Sequence, residues 1–154
     1  MLDAHLGRLA TYLRMLGFDS AYSNQCEDAE LARISHDEQR ILLTRDNGLL
    51  KRSTVIHAYF VRAKEPETQL REVVKRFGLA SAASPFRRCL ACNAALLPVT
   101  RNEAIEQLEP KTRQYYDDFQ ICPMCRRIYW AGSHYQRMRR FVQEILAANE
   151  PEMA

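Results

Sequence analysis

ILLTRDNG, residues 41–48, is a short apolar run that stops abruptly at charged and turn-forming residues. A run of this length without polar alternation reads as a strand buried on both faces, and Asn47-Gly48 supplies the turn that ends it. Toward the N-terminus, Asp28 opens a helix with Leu31, Ala32 and Ile34 on its apolar side. Ser20 to Ser23 reads as a short strand before it. Farther back, Leu6, Leu9, Ala10, Leu13 and Leu16 follow helical spacing and Gly17 marks the stop. In the other direction, Ala58 to Val61 is the next strand. Pro66 then starts a helix with Leu70, Val73, Val74 and Phe77 inward and Gly78 at its end. Strands alternating with helices predict βαβ units and a parallel sheet, an α/β fold.

If Leu2 and Asp3 end a first strand, most of that strand is absent, so the chain is expected to be a fragment of a longer protein or to begin unusually late. Residues 79–86, LASAASPF, are small and loosely patterned and mark a boundary. Residues 135–147 read as a closing helix with Met138, Phe141, Val142 and Ile145 on one face.

Between the boundary and that helix lie two CxxC pairs, Cys89/Cys92 in RRCLACN and Cys122/Cys125 in ICPMCRRIYW. Two thiolates on a tight turn hold one edge of a tetrahedral zinc ion, and a second such turn completes the site. The 29 residues at positions 93–121 exceed the usual insert of such a module, so an excursion is expected there. Four thiolates leave no open coordination position, so this zinc is structural. Cys26, the fifth cysteine, reads as a small buried residue or a free thiol.

Composition narrows the class. With 47% hydrophobic residues among 154, a packed core is available and disorder throughout is excluded. No apolar run reaches the ~20 residues of a membrane-spanning helix. An odd cysteine number without framework spacing argues against a secreted disulfide scaffold, and the N-terminal residues read as an amphipathic helix rather than a signal peptide, so the expected setting is the cytoplasm. The net charge of +3 is mild, but from Pro85 to Arg140 the basic residues are arginine apart from Lys111. Arginine suits bidentate phosphate contact.

In an open parallel sheet, ligands bind outside the carboxyl ends of the strands. Asp3, Asp28 and Asp46 fall at or just after three successive strand ends. Gathered carboxylates repel unless a cation neutralises them, and oxygen-only clusters suit Mg²⁺ or Mn²⁺. Each acid also has a plainer reading: Asp3 as a solvated chain-end charge, Asp28 as a helix cap, Asp46 as a turn residue.

LDAHLGRLATYLRMLGFDS, CEDAELARISHDEQRILLTRDNGLL, RCLACN and CPMCRRIYWAGSH, in that order from Asp3 to about Met138, resemble the Mut-seven C-terminal RNase family. The resemblance implies a PIN-like nuclease fold with a fused zinc ribbon. The expected division is a PIN-like nuclease core over 1–84, a zinc ribbon over 85–134, and a C-terminal helix and tail over 135–154. It also implies a metal-dependent ribonuclease acting on RNA, with Asp3, Asp28 and Asp46 as the acids that hold Mg²⁺ or Mn²⁺. Thr44 stands where such enzymes carry a small hydroxyl residue. Two features depart from the pattern. The first strand is cut to Met1-Leu2, and no clear fourth acid follows Asp46; Glu30 is the nearest substitute on the second helix.

For substrate, the expected contacts are Arg45 beside Asp46 and Arg126, Arg127, Tyr129, Trp130 and His134 after the second knuckle. Arginines with aromatics hold phosphates and stack on unpaired bases. The plainer reading of Tyr129 and Trp130 is packing within the small metal module. His5, Arg8 and Arg14 near the first acid are weaker phosphate contacts, and His36 and His57 read as surface residues. The alternative function is a non-catalytic RNA-binding or protein-docking module on a degenerate scaffold, with a larger assembly as the partner it would dock on.

Overall fold

The computed structural model describes residues 1–149, and the last five residues of the expected tail lie outside the described residues. Within residues 1–78 the expected alternation of strands and helices is present. A 3₁₀ turn, Ala4–Leu6, runs into α1, Gly7–Met15; α2 spans Asp28–Asp37. Strand β1, Leu42–Thr44, is followed by the one-turn α3, Asn47–Leu50, then β2, Ala58–Phe60, and α4, Pro66–Phe77. Strands β1 and β2 pair in parallel, with Leu42 opposite Ala58 and Thr44 opposite Phe60.

The first strand is reduced to Leu2, which forms parallel bridges to Leu43 on one side and Tyr22 on the other. The Leu2 and Asp3 amides donate to the carbonyls of Ala21 and Leu43 at 2.9 and 3.1 Å, so even this remnant is seated inside the sheet. The expected strand at 20–23 shrinks to the Tyr22 bridge. Leu2, Leu42 and Thr44 are fully buried, as central parallel strands require. Ile41 faces water at 44% exposure, and β1 therefore starts one residue later than the apolar run.

The core explains the helix pattern. Leu6, Leu9, Leu13 and Leu16 from the N-terminal segment pack with Leu43, Val61, Leu70, Val73 and Val74. Burying each such side chain contributes roughly 1.5–3 kcal/mol. α4 shows both end signals, Pro66 in its first turn and Gly78 in the left-handed conformation after it.

Gly17 ends α1 with φ +94°, and a Cβ there would stand 2.1 Å from the Ser84 carbonyl oxygen. That close approach ties the small-residue segment down: Ser84 and Phe86 donate to the carbonyls of Leu16 and Met15, each at 3.0 Å.

Beyond it, β3 (Leu97–Val99), β4 (Phe119–Ile121) and β5 (Ile128–Trp130) form a three-stranded antiparallel sheet. The excursion between the cysteine pairs holds β3, α5 (Arg101–Ala104), a 3₁₀ turn and α6 (Pro110–Tyr115) around a small core of Ala104, Leu108 and Phe119. A Thr100/Glu103 capping box starts α5. The last helix, α7 (Ser133–Ala147), places Val142 and Ile145 in the same core as Leu6 and Leu9, and Phe141 meets Tyr12 with ring centroids 5.0 Å apart. No helix among the described residues is long and apolar enough to cross a membrane.

Candidate active site and metal centre

The four CxxC cysteines converge. Their sulfurs all lie within 4.8 Å of one another, with Cys89–Cys125 at 3.5 Å and Cys92–Cys122 at 3.3 Å. A tetrahedral zinc with Zn–S of about 2.3 Å requires sulfur separations of about 3.8 Å. The separations are too long for disulfides, and all four thiols are free. The quartet fits zinc by ligand type, number and spacing.

Both knuckles use the same turn. Asn93 donates to the Cys89 carbonyl and Arg126 to the Cys122 carbonyl, each at 2.9 Å. Each closing residue is left-handed, Asn93 at φ +71° and Arg126 at φ +62°. Asparagine tolerates that region, whereas arginine occupies it at a cost of roughly 1–2 kcal/mol.

Burial pushes the Cys89 thiol up, but the Tyr129 hydroxyl and the Cys92 and Ala91 amides outweigh it and bring the pKa down to about 6. Burial and the neighbouring sulfurs push Cys92 the other way, to about 12. Cys122 is likewise held below the ordinary thiol value and Cys125 pushed above it, so two thiolates form more readily while two resist, and a dication relieves the conflict for all four.

The first knuckle is bolted to the N-terminal sheet. Arg14 is buried; its Nε and Nη2 donate to the Ser20 carbonyl at 3.0 and 2.9 Å. Its Nη1 reaches the carbonyls of Leu90 and Ala91 at 3.1 and 3.0 Å. Asn93 accepts from the Ser20 amide and donates to Asp19, at 2.9 and 2.7 Å. Arg14 is thus committed to carbonyls that join the two parts, while Arg8 and His5 are exposed.

Asp3 is buried, 4% exposed, which removes the reading of a solvated chain-end charge. Its Oδ1 accepts from the His5 amide at 2.9 Å, capping the 3₁₀ turn. Its Oδ2 accepts from the Arg45 amide at 2.8 Å and from the Thr44 hydroxyl. Thr44 Oγ1 in turn accepts from the Asp46 amide at 2.9 Å. One hydroxyl therefore connects Asp3 to Asp46 across the ends of adjacent strands.

Asp46 is exposed and caps α3 through Gly48, at 2.6 Å. Asp28 begins α2, but Glu27 is the cap residue, so Asp28 has no capping bond to explain it. Among the described residues no Lys or Arg side chain forms an ion pair with Asp3, Asp28 or Asp46. The cysteine quartet is the group in which potential metal ligands come together there; the three aspartates do not form one.

Other expected site residues are placed as follows. Arg45 turns its Nη1 to the carbonyls of Val61, Arg62 and Ala63, at 3.0 and 3.1 Å for the first two. Tyr129 sets its hydroxyl 3.2 Å from both Cys89 Sγ and the Leu90 amide, supporting the cysteine site from behind. Arg126, Arg127 and Trp130 are exposed, and so is His134 in the first turn of α7. Cys26 packs beside the Leu31 and Leu42 cluster.

Sequence reasoning missed Glu72 on α4, which accepts from the Arg62 and Ala63 amides at 2.9 and 2.8 Å and from the Tyr59 hydroxyl at 2.9 Å. Burial raises its pKa, but the two amides and Tyr59 prevail and hold it below the ordinary value. It latches the segment leaving β2. Nothing in its helical spacing distinguishes it from a solvated face.

The model of the Mut7-C RNAse domain matches residues 1–142, nearly the whole chain. The chain belongs to the Mut7-C RNAse domain family. No curated protein and no solved structure matches it. In this chain the mixed α/β part with its small parallel sheet carries Asp3, Asp28 and Asp46, and the C-terminal part carries the four-cysteine cluster.

Proposed function

We propose that this chain is a metal-dependent ribonuclease that hydrolyses RNA phosphodiester bonds at the carboxyl end of a PIN-like parallel sheet. The observation that carries this reading is the Asp3–Thr44–Asp46 chain, which joins two carboxylate residues at neighbouring strand ends and leaves both without a basic partner. Oxygen donors at a strand end suit Mg²⁺ or Mn²⁺, with Asp3, Asp28 and Asp46 as the residues that would hold it. When bound, such an ion neutralises phosphate charge and acidifies water. The protein's own contribution is orientation. Thr44 and the Arg45 amide fix the Asp3 carboxylate, and the Gly48 amide fixes Asp46. Residues 1–84 form the nuclease core and 85–134 a zinc ribbon, whose Arg126, Arg127, Trp130 and His134 remain open to RNA; the setting is cytoplasmic.

The test is cleavage of end-labelled RNA with Mg²⁺ or Mn²⁺, comparing the chain with Asp46→Asn. Asparagine keeps a side-chain oxygen that can cap α3, so the fold should survive while the charge is lost. Metal-dependent cutting that falls at least about a hundredfold in the variant supports the proposal, in line with loss of a group that stabilises developing charge. Full activity in the variant overturns the assignment of Asp46.

A second reading has its own observation. Asp3 and Asp46 both serve as structural caps, and the three aspartates do not gather into a ligand group among the described residues. A non-catalytic RNA-binding or docking module fits those facts. Salt-dependent RNA binding by a zinc-loaded protein that cuts nothing in either metal would favour it.

A further inference from the structure

Trp130 stands on a ridge between two hollows. One is a groove of about 1080 Å³ that runs between the C-terminal sheet and the start of α7, reaching Phe86, Arg87, Trp130 and Tyr135. The other, of about 350 Å³, lies against α6 and the second knuckle, with Arg126, Arg127 and Trp130 on its wall. Trp130 lines both and is 39% exposed, and it is the chain's single tryptophan.

The ring is held there by the backbone. A Cβ on Gly132 would lie 3.0 Å from the indole nitrogen, so the chain turns tightly under the ring. On the groove floor, Phe86 is fixed at φ +61° with its ring centroid 4.6 Å from that of Tyr135. A bulky residue in the left-handed region is a strained outlier, kept only where its surroundings impose it. Tyr129, by contrast, is half-buried with its hydroxyl engaged at Cys89.

The charges around the ridge are unevenly matched. Among the acids on the groove wall, Asp117 is paired with Arg101, and Glu103 folds back onto Thr100 in the capping box. Asp118 and Glu109 have no ion-pair partner among the described residues. The side chains of Arg87, Arg126 and Arg127 are exposed and have no hydrogen-bonded or ionic partner among the described residues. Cations therefore flank the aromatic ridge on both sides with their donors free.

We propose that a single RNA strand crosses Trp130, one base stacked on the indole, its phosphates on Arg126 and Arg127 on one side and on Arg87 on the other. The next bases lie in the groove against Phe86 and Tyr135. This inference rests on the reading of the chain as an RNA-directed protein and specifies the strand and its path. Stacking of this kind uses open base faces, so single strands are favoured over duplex.

The lone tryptophan provides a direct readout. The zinc-loaded chain, without Mg²⁺ or Mn²⁺, is titrated with a short single-stranded oligoribonucleotide of mixed sequence and with the same sequence annealed to its complement. Expected are saturable quenching of Trp130 by the single strand and much weaker quenching by the duplex. Anisotropy of the labelled strand should show about tenfold weaker binding for Trp130→Ala, as loss of one stacked base implies, and little loss for Trp130→Phe. Zinc retention by each variant shows that the knuckles are intact. Unchanged fluorescence, unchanged affinity in Trp130→Ala, or equal binding of duplex and single strand overturns the proposal. So does equal competition by heparin, which would mark a charge-only surface. Cleavage with a silent Trp130 would leave the nuclease reading standing and remove this one. Quenching without cleavage in any metal would do the reverse.

Discussion

Thr44 Oγ1 donates to Asp3 and accepts from the Asp46 amide, so a single buried hydroxyl fixes the geometry of two of the three acids. Valine has nearly the same shape and neither bond. Thr44→Val should leave the Asp46 amide and one Asp3 oxygen short of partners and cost about 1–3 kcal/mol in urea unfolding, with Thr44→Ser recovering most of it. A cost below a few tenths would show that the hydroxyl is not a support. The acids were legible as residues at strand ends because the alternation of strands and helices locates those ends. Their local partners were not legible. Nothing in the spacing of Asp3 and Thr44 says that strand one lies directly beside β1. The same limit applies to Arg14, an ordinary helix cation in sequence and a buried clamp on the first knuckle in space.

The end of α1 is set by Gly17 at the element scale. Its φ of +94° and the 2.1 Å approach of a Cβ to the Ser84 carbonyl make any side chain costly. Gly17→Ala should destabilise by about 3 kcal/mol, from backbone strain and from displacement of the segment at Ser84, read as a lowered thermal midpoint. A neutral outcome would mean that the segment moves freely off the helix. Helices α1, α2 and α4 are foreseeable because each has an apolar stripe and end signals. Strands β3 to β5 are three residues each, and α5 and α6 lie in a stretch without a sustained period. There the turn set by the cysteines and the pairing across the sheet decide the conformation, and both are long-range facts.

For the molecule as a whole, the four-cysteine site and the parallel sheet share supports. Arg14, Asn93 and Asp19 link the first knuckle to the loop that leads to Tyr22, which pairs with Leu2 next to Asp3. Removing zinc with a chelator should therefore lower the thermal midpoint of the entire chain and also raise amide exchange at Ala21 to Tyr22. Structural zinc in small domains contributes about 10–16 kcal/mol. Exchange confined to the cysteine module would show that the two parts are independent. The pH sign is fixed by the ligands. Zinc binds thiolates, so protons compete as pH falls, and Cys89, held down to about 6, and Cys122, also lowered, should surrender their places after Cys92 and Cys125. Zinc release on acidification, followed with a chromogenic chelator, checks this. The sequence by itself determined the α/β class, the helix stripes, the cysteine quartet and the family, because each is written in local periodicity or in short fixed spacing. Tertiary structure decided how a two-residue strand finds a place inside the sheet, which arginines are spent on carbonyls and which stay open, and how the metal module is fastened to the core. Those outcomes depend on residues up to about 80 positions apart, such as Arg14 and Ala91, meeting only once the chain has folded.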